Sequence, residues 1–126
     1  MPVSKQPVGV IDIGSNSIKL LVAARGEGGN LVEILQTTDE TRIGDGISKD
    51  EPRLMDASME AACHSVKRLK MAAESCGAKL IAVVATSAVR DAVNRDLFAD
   101  RLKEATETEL RILTGREEAE LIGLGI

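Results

Sequence analysis

Aromatic side chains are almost absent from this sequence. Its 126 residues include no tryptophan or tyrosine, and Phe98 is the one phenylalanine. The core must therefore be built from aliphatic side chains, and base stacking on exposed aromatic rings is nearly excluded as a way of binding nucleic acid. The net charge is −4 and there is no basic tract, so we expect no nucleic-acid partner.

Cysteine and histidine are also scarce, with two cysteines and one histidine. Cys63 and Cys76 fall on one predicted helix, where their spacing puts them about 20 Å apart, too far for a disulfide with each other. We interpret both as free thiols in a reducing compartment, which favours the cytoplasm. We interpret His64 as a surface residue, because no cluster of histidine and cysteine has the spacing of a zinc site.

Long apolar runs are missing as well. No N-terminal stretch has the basic-then-apolar form of a secretory signal, and no run approaches the roughly 20 residues needed to span a bilayer. A length of 126 residues suggests one domain. We therefore expect a single cytoplasmic domain with no membrane partner.

Hydrophobic patterning predicts a strand-rich first half and an alternating second half. Three strands of an antiparallel meander are predicted at residues 7–13, 17–25 and 31–38. After a polar loop, an apolar stripe at spacings of four and three predicts one long helix, with Asp56 as its N-cap and Gly77 just beyond its end. The stripe comprises Met55, Met59, Ala62, Val66, Leu69, Ala73 and Cys76.

The second half is predicted to begin with a buried strand over residues 79–85. One or two helical pieces follow over 88–106, interrupted near Asn94. A short strand at 109–113 and a final helix, from near Gly115 to the end of the chain, complete the order. This order predicts an α/β fold, a mixed five-stranded sheet in which βα units with packed helices follow the meander.

Polar residues follow three of these predicted strands, where ligands bind in open α/β sheets. Asp12 ends the first strand, and the turn after it offers backbone N–H groups and side-chain donors to an anion. The residues of that turn are Gly14, Ser15, Asn16 and Ser17. Arg90 follows the fourth strand and Glu118 follows the fifth. We predict that the three segments face one crevice.

Structural explanations compete with this interpretation. The turn can be a hairpin connection, and Arg90 can be a salt-bridged arginine. Thr114 and Glu117 fit a capping box, which leaves Glu118 without that duty, although acidic residues are common in a first turn because of the helix dipole. We interpret Arg42 and Arg116 as surface charges.

Four segments, in order, resemble the Ppx/GppA phosphatase family of exopolyphosphatases and guanosine pentaphosphate phosphohydrolases, part of the actin, Hsp70 and sugar-kinase superfamily. The first segment resembles the family's first phosphate loop and the second its post-meander loop. The third resembles its T-x-A-x-R-x-A-x-N element, and the fourth its S/T-G-x-E-E-A segment. They are residues Val10–Lys19, Arg42–Ile47, Thr86–Asn94 and Ile112–Gly125.

The resemblance implies a ribonuclease H-like lobe whose site residues carry over position by position. Gly14, Ser15, Asn16 and Ser17 match the phosphate-cradling loop. Asp12 matches the acidic residue that places a metal ion or water, with Mg²⁺ the expected ion. Arg90 matches an arginine facing the phosphate chain, and Glu118 matches the general base. The implied reaction releases the terminal phosphate of polyphosphate or the 5′ γ-phosphate of guanosine pentaphosphate.

Family members continue into a second lobe that begins with a D-x-G-G-G-S phosphate loop, and this sequence stops before it. We therefore expect residues 1–126 to be the N-terminal lobe, with the second lobe absent from this chain. Such a lobe is predicted to fold alone and to have negligible phosphatase activity. We also expect its cleft-facing surface to be apolar and to favour a homo-oligomer.

Two alternatives remain open. One is the ATP-binding lobe of a kinase or chaperone of the same superfamily, which shares the first phosphate loop but uses other acidic residues. The other is a non-catalytic lobe that binds phosphate or a partner chain. Arg90 and the Glu117-Glu118-Ala119 segment favour the phosphatase.

Overall fold

A mixed sheet with strand order β3-β2-β1-β4-β5 forms the centre of the structure, a computed structural model that describes residues 6–44, 46–47 and 50–123. The strands are β1 (Val8–Ile13), β2 (Ile18–Arg25), β3 (Leu31–Asp39), β4 (Leu80–Ala85) and β5 (Leu110–Ile112). The helices are α1 (Asp56–Ser75), α2 (Ser87–Arg90), α3 (Arg95–Thr106) and α4 (Gly115–Gly123). Asp45 of the quoted loop motif and positions 124–126 of the predicted final helix lie outside the described residues.

The pairing of the strands confirms the predicted α/β architecture. β1, β2 and β3 pair antiparallel, whereas β4 pairs parallel with β1 on one side and with β5 on the other. The predicted interruption near Asn94 is also present, since α2 ends at Arg90 and α3 begins at Arg95. Alternating burial is clear in β1 and β2, where every second residue is buried against the core.

The core lies between one face of the sheet and the helices α1 and α3. Phe98, the single aromatic residue, is fully buried there among aliphatic side chains. Helix α1 approaches the sheet closely at Gly9, where an added Cβ would lie 3.2 Å from the Cβ of Ala73. A larger residue at position 9 would push α1 away from β1.

Two details of the predicted elements are wrong. Asp56 is the first residue of α1, not its N-cap; Met55 holds the N-cap position, and its carbonyl accepts the first helical bond from Met59 N at 2.9 Å. Strand β4 is buried only in its second half, since Leu80 is 68% exposed. Leu80 and Ile81 point to opposite faces of the sheet, and Leu80 is on the face away from α1. The apolar sequence of this strand alone therefore predicts more burial than the strand has.

The end of α1 follows the prediction. Gly77 has φ +90, the left-handed conformation that glycine adopts just beyond a helix.

Within the described residues, no helix is long and apolar enough to cross a membrane.

The two cysteines differ in accessibility, and neither forms a disulfide. Cys63 is buried on α1, and burial raises the pKa of its thiol; Glu60 adds to this and Arg101 opposes it. Cys76 is half-buried at the end of the helix.

Thiol labelling of the native chain at pH 8 tests this difference. We expect Cys63 to react roughly tenfold more slowly than Cys76, because the thiolate is the reactive form and both its population and its access are reduced. In denaturant the two should react alike. A Cys76→Ser variant that still labels rapidly in the native state would contradict the prediction.

Candidate active site

Three loops meet at one edge of the sheet because β1, β4 and β5 run parallel and end at the same level. Ile13 is paired with Ala85, and Ala85 with Ile112. Backbone bonds continue beyond the strand ends, from Thr86 N to Ile13 O at 3.2 Å and from Leu113 N to Ala85 O at 2.9 Å. The structure thereby brings together the three segments that the sequence predicted to face one crevice.

The turn at residues 14–17, which we call the phosphate turn after the role predicted for it, connects β1 to β2. Gly14 N donates to Ser17 O at 3.0 Å, and a Cβ on Gly14 would lie 3.2 Å from that oxygen. The Ser15 hydroxyl lies 3.2 Å from the hydroxyl of Ser87, which follows β4. Among the described residues, the side chains of Asn16 and Ser17 have no hydrogen-bond partner. Both are therefore free to bind a ligand.

The loop after β3 makes two backbone hydrogen bonds to the phosphate turn. Arg42 N donates to Asn16 O and Gly44 N donates to Ser15 O, each at 3.0 Å. The backbone of Arg42 is left-handed, with φ +50, which is rare for a residue other than glycine. Sequence reasoning missed this contact, although Gly44 was a weak signal: a Cβ there would lie 3.2 Å from Ser15 O. The Arg42 side chain is exposed, as predicted.

Arg90 connects the end of β4 to the start of α4. Its Nη1 donates to Leu113 O at 2.9 Å and lies 3.5 Å from Glu118 Oε2. Its Nε lies 3.9 Å from Asp91 Oδ1. Arg90 is thus a structural arginine in part, yet it also places a cation beside Glu118, at the edge of the sheet that carries the phosphate turn.

The two glutamates of α4 have different surroundings. Thr114 Oγ1 accepts from Glu117 N and Glu117 Oε1 accepts from Thr114 N, both at 3.1 Å, which confirms the predicted capping box. The hydrogen bond from the Thr114 backbone, and then the one from Arg111, lower the pKa of Glu117. Glu117 is therefore a structural residue, and Glu118 is the one directed to Arg90.

Asp12 is the last residue but one of β1, and its side chain is half-buried. Its Oδ1 is buried and has no hydrogen-bond partner among the described residues. Burial, and then the charge of Glu118, raise the pKa of Asp12, while Lys19 lowers it. A buried oxygen without a partner suits a bound cation.

The predicted Mg²⁺ at Asp12 would need ligands in addition to protein side chains. No group of three or more histidine, cysteine, aspartate or glutamate side chains within the described ranges could hold a metal ion. Mg²⁺ commonly takes one or two carboxylates and completes its shell with water and phosphate oxygens. A site with Asp12 and a bound phosphate meets that requirement.

A pocket of about 520 Å³ adjoins the phosphate turn. Its lining comes from the turn, the loop after β3 and the segment after β4, namely Ser15, Gly44, Ile47, Pro52, Ser87, Ala88 and Asp91. His64 lies elsewhere, exposed on α1 and 3.8 Å from Glu60, as its surface interpretation predicts.

A family model and several known proteins are similar to this chain in sequence. The model of the Ppx/GppA phosphatase family matches residues 21–126. Exopolyphosphatase 2 of Mycobacterium tuberculosis is 36% identical over 129 residues, covering 90% of this chain and 38% of that protein. Exopolyphosphatase 1 of Mycobacterium bovis is 29% identical over 119 residues, covering 94% of this chain and 34% of that protein.

Solved structures agree. The Aquifex aeolicus member of the Ppx/GppA family superposes with a TM-score of 0.82 at 28% identity, over 90% of this chain and 36% of that one. An exopolyphosphatase from Cytophaga hutchinsonii, at 24% identity and a TM-score of 0.84, shares the fold over 92% of this chain and 36% of its own.

These neighbours define the class, an α/β lobe of the type that Ppx/GppA proteins contain. The chain belongs to the Ppx/GppA phosphatase family. It spans just over a third of the length of the curated relatives that it matches. The roles of the individual site residues stay predictions.

Asp12→Asn is expected to stabilise the folded chain at neutral pH, because it removes a half-buried charge near Glu118. Since the pKa of Asp12 is raised on folding, the wild type loses stability as pH rises through that pKa. The gain should therefore be largest above the folded pKa and vanish below the unfolded one. Urea unfolding at several pH values measures it, and an Asp12→Asn chain less stable at pH 7 would contradict the prediction.

Proposed function

We propose that this chain forms one wall of a phosphoanhydride hydrolase site. The substrate is inorganic polyphosphate, which loses its terminal phosphate, or guanosine pentaphosphate, which loses its 5′ γ-phosphate. The observation that carries the proposal is the placement of Arg90, which contacts Leu113 O and Glu118 directly after β4. It supports a site where a cation and a carboxylate stand beside an anion-binding turn.

The turn would hold the terminal phosphate. Side chains of Asn16 and Ser17 lack partners within the described residues, and small turns of this kind direct backbone N–H groups at anions. Arg90 would add a charge-assisted hydrogen bond to the same phosphate or to its neighbour. Together these donors orient the phosphorus atom for attack from one side.

Glu118 would act as the general base. Its carboxylate takes a proton from water while the water oxygen bonds to phosphorus, and the bridging P–O bond breaks. Orthophosphate leaves with the new oxygen, and the remaining chain, one phosphate shorter, keeps the bridging oxygen. Arg90 keeps Glu118 turned toward this side of the sheet.

Asp12 would hold Mg²⁺ through its buried Oδ1. When bound, the ion supplies positive charge that offsets the charge gathering on the phosphate oxygens. The 36% identity to an exopolyphosphatase and the match to the family favour this function over the ATP-binding lobe of a kinase or chaperone.

We further propose that the isolated chain lacks significant turnover. The 126 residues cover just over a third of the length of these curated relatives, and a hydrolase site shared between two lobes would need residues beyond them. A cytoplasmic location is proposed because both cysteines are free thiols. Self-association of this lobe through its cleft-facing surface stays a prediction.

An Asn16→Ala/Ser17→Ala double variant tests the anion-binding turn. Isothermal titration with tripolyphosphate and Mg²⁺ should show that the affinity falls roughly tenfold, because two donors to a charged ligand are removed. Asn30→Ala, in the exposed turn between β2 and β3, is the matched control and should bind as the wild type does. Equal affinity of the double variant would refute the role of the turn, and markedly tighter binding of ATP than of tripolyphosphate would favour the kinase or chaperone alternative.

Glu118→Gln tests whether Glu118 contributes to ligand binding. We expect tripolyphosphate affinity to be unchanged or higher, because the substitution removes a negative charge near a polyanion. Phosphate release by the wild-type chain should stay at background. Turnover by this chain would contradict the proposed inactivity, while a roughly tenfold loss of affinity in Glu118→Gln would assign Glu118 to binding rather than to proton transfer.

A further inference from the structure

The side-chain amide of Asn94 makes two hydrogen bonds to the backbone of a single residue, Leu54. Leu54 N donates to Asn94 Oδ1 at 2.8 Å, and Asn94 Nδ2 donates to Leu54 O at 3.0 Å. The neighbouring Val93 N donates to Pro52 O at 2.8 Å. Three hydrogen bonds therefore attach the end of the loop between β3 and α1 to the junction of α2 and α3.

This use of the amide is unexpected for its position. Asn94 occupies the N-cap of α3, where an asparagine side chain ordinarily accepts a hydrogen bond from the first turn of the helix. Here its side chain makes no cap hydrogen bond. The amide is committed to Leu54 instead, whose side chain is buried in the core.

The other end of the same loop holds the phosphate turn. Gly44 N binds Ser15 O and Arg42 N binds Asn16 O, and the intervening Ile43 is fully buried. The loop is thus anchored at the phosphate turn by its first residues and at Asn94 by its last. The pocket of about 520 Å³ lies between these anchors.

The hydrogen bonds from the loop determine the direction of the turn's N–H groups. A trans peptide is planar, so its C=O and N–H point in opposite directions. Binding of Ser15 O by Gly44 N turns the N–H of Asn16 away from the loop, and binding of Asn16 O by Arg42 N does the same for the N–H of Ser17. The loop therefore orients two donors of the phosphate turn.

We propose that Asn94 is a positioning residue for the phosphate turn. It does not touch the substrate; it clamps Leu54 and so holds the loop that orients the N–H groups of Asn16 and Ser17. The ligand named in the test, a short polyphosphate, rests on the proposed function, whereas the clamp itself rests only on these contacts.

Two substitutions at this position separate clamping from capping. Asn94→Ala removes the two Leu54 contacts and also the side-chain oxygen that could cap α3. Asn94→Asp keeps an oxygen that can cap α3 but replaces the Nδ2 donor with a carboxylate oxygen facing Leu54 O. If Asn94 only stabilised α3, the aspartate variant would behave as the wild type. Val66→Ala, which trims a fully buried side chain of α1 and leaves the Asn94 contacts intact, controls for general destabilisation.

Amide hydrogen exchange in the 126-residue chain is the first readout. With the clamp broken, the amides of Arg42 and Gly44 should exchange roughly tenfold faster in Asn94→Ala and Asn94→Asp, and at the wild-type rate in Val66→Ala, because local opening of the loop no longer requires breaking the Asn94 contacts. Wild-type exchange in Asn94→Asp, or equally fast exchange in Val66→Ala, would overturn the proposal.

Tripolyphosphate affinity in the presence of Mg²⁺ is the second readout. Both Asn94 variants should bind roughly threefold to tenfold more weakly than the wild type, with Val66→Ala unchanged. Faster exchange without any loss of affinity would overturn the positioning role. A wild-type chain that does not bind tripolyphosphate would instead refute the proposed function, and exchange at Arg42 and Gly44 would still decide whether Asn94 is a clamp.

Discussion

The parallel pairing of β4 with β1 and β5 is the constraint on which the candidate site depends. It sets Ile13, Ala85 and Ile112 at one level, so that the turn at residues 14–17, Arg90 and Glu118, all distant in sequence, lie beyond the same end of the sheet. Backbone hydrogen bonds beyond the strand ends keep the first residue of each connection in line. The pairing of the main chain therefore determines which side chains lie close together at this end of the sheet.

Charge at this edge is balanced incompletely. Arg90 compensates Glu118, whereas the buried oxygen of Asp12 has no partner within the described residues and the charge of Glu118 raises its pKa further. An asparagine would fit the same space with less electrostatic cost. A carboxylate that is expected to cost stability here is consistent with the proposed site for a cation and a polyanion.

Much of the fold, and the cluster of strand-end loops, could be predicted because alternating burial and a capping box are local signals. Thr114 and Glu117 illustrate this, since three residues of spacing define both hydrogen bonds. Long-range main-chain contacts have no such signature: nothing in the sequence shows that Arg42 N would bind Asn16 O. Nor does it show that Asn94 would bind Leu54 rather than cap α3, because both uses suit the same side chain.

The sheet is unevenly covered along its length, and this has a mechanical consequence. At the end far from the site, Val8 is 39% and Leu80 68% exposed, whereas Val84, on the same face of β4 as Leu80 but near the site end, is 6% exposed. Strand pairs with wet ends fray first, so breathing of this sheet should start at Val8 and Leu80 and progress toward the strand ends that carry the loops. The turn at residues 14–17 therefore leaves the sheet at the end where Ile13, Ile18 and Ala85 are almost completely buried, which is the end expected to open last.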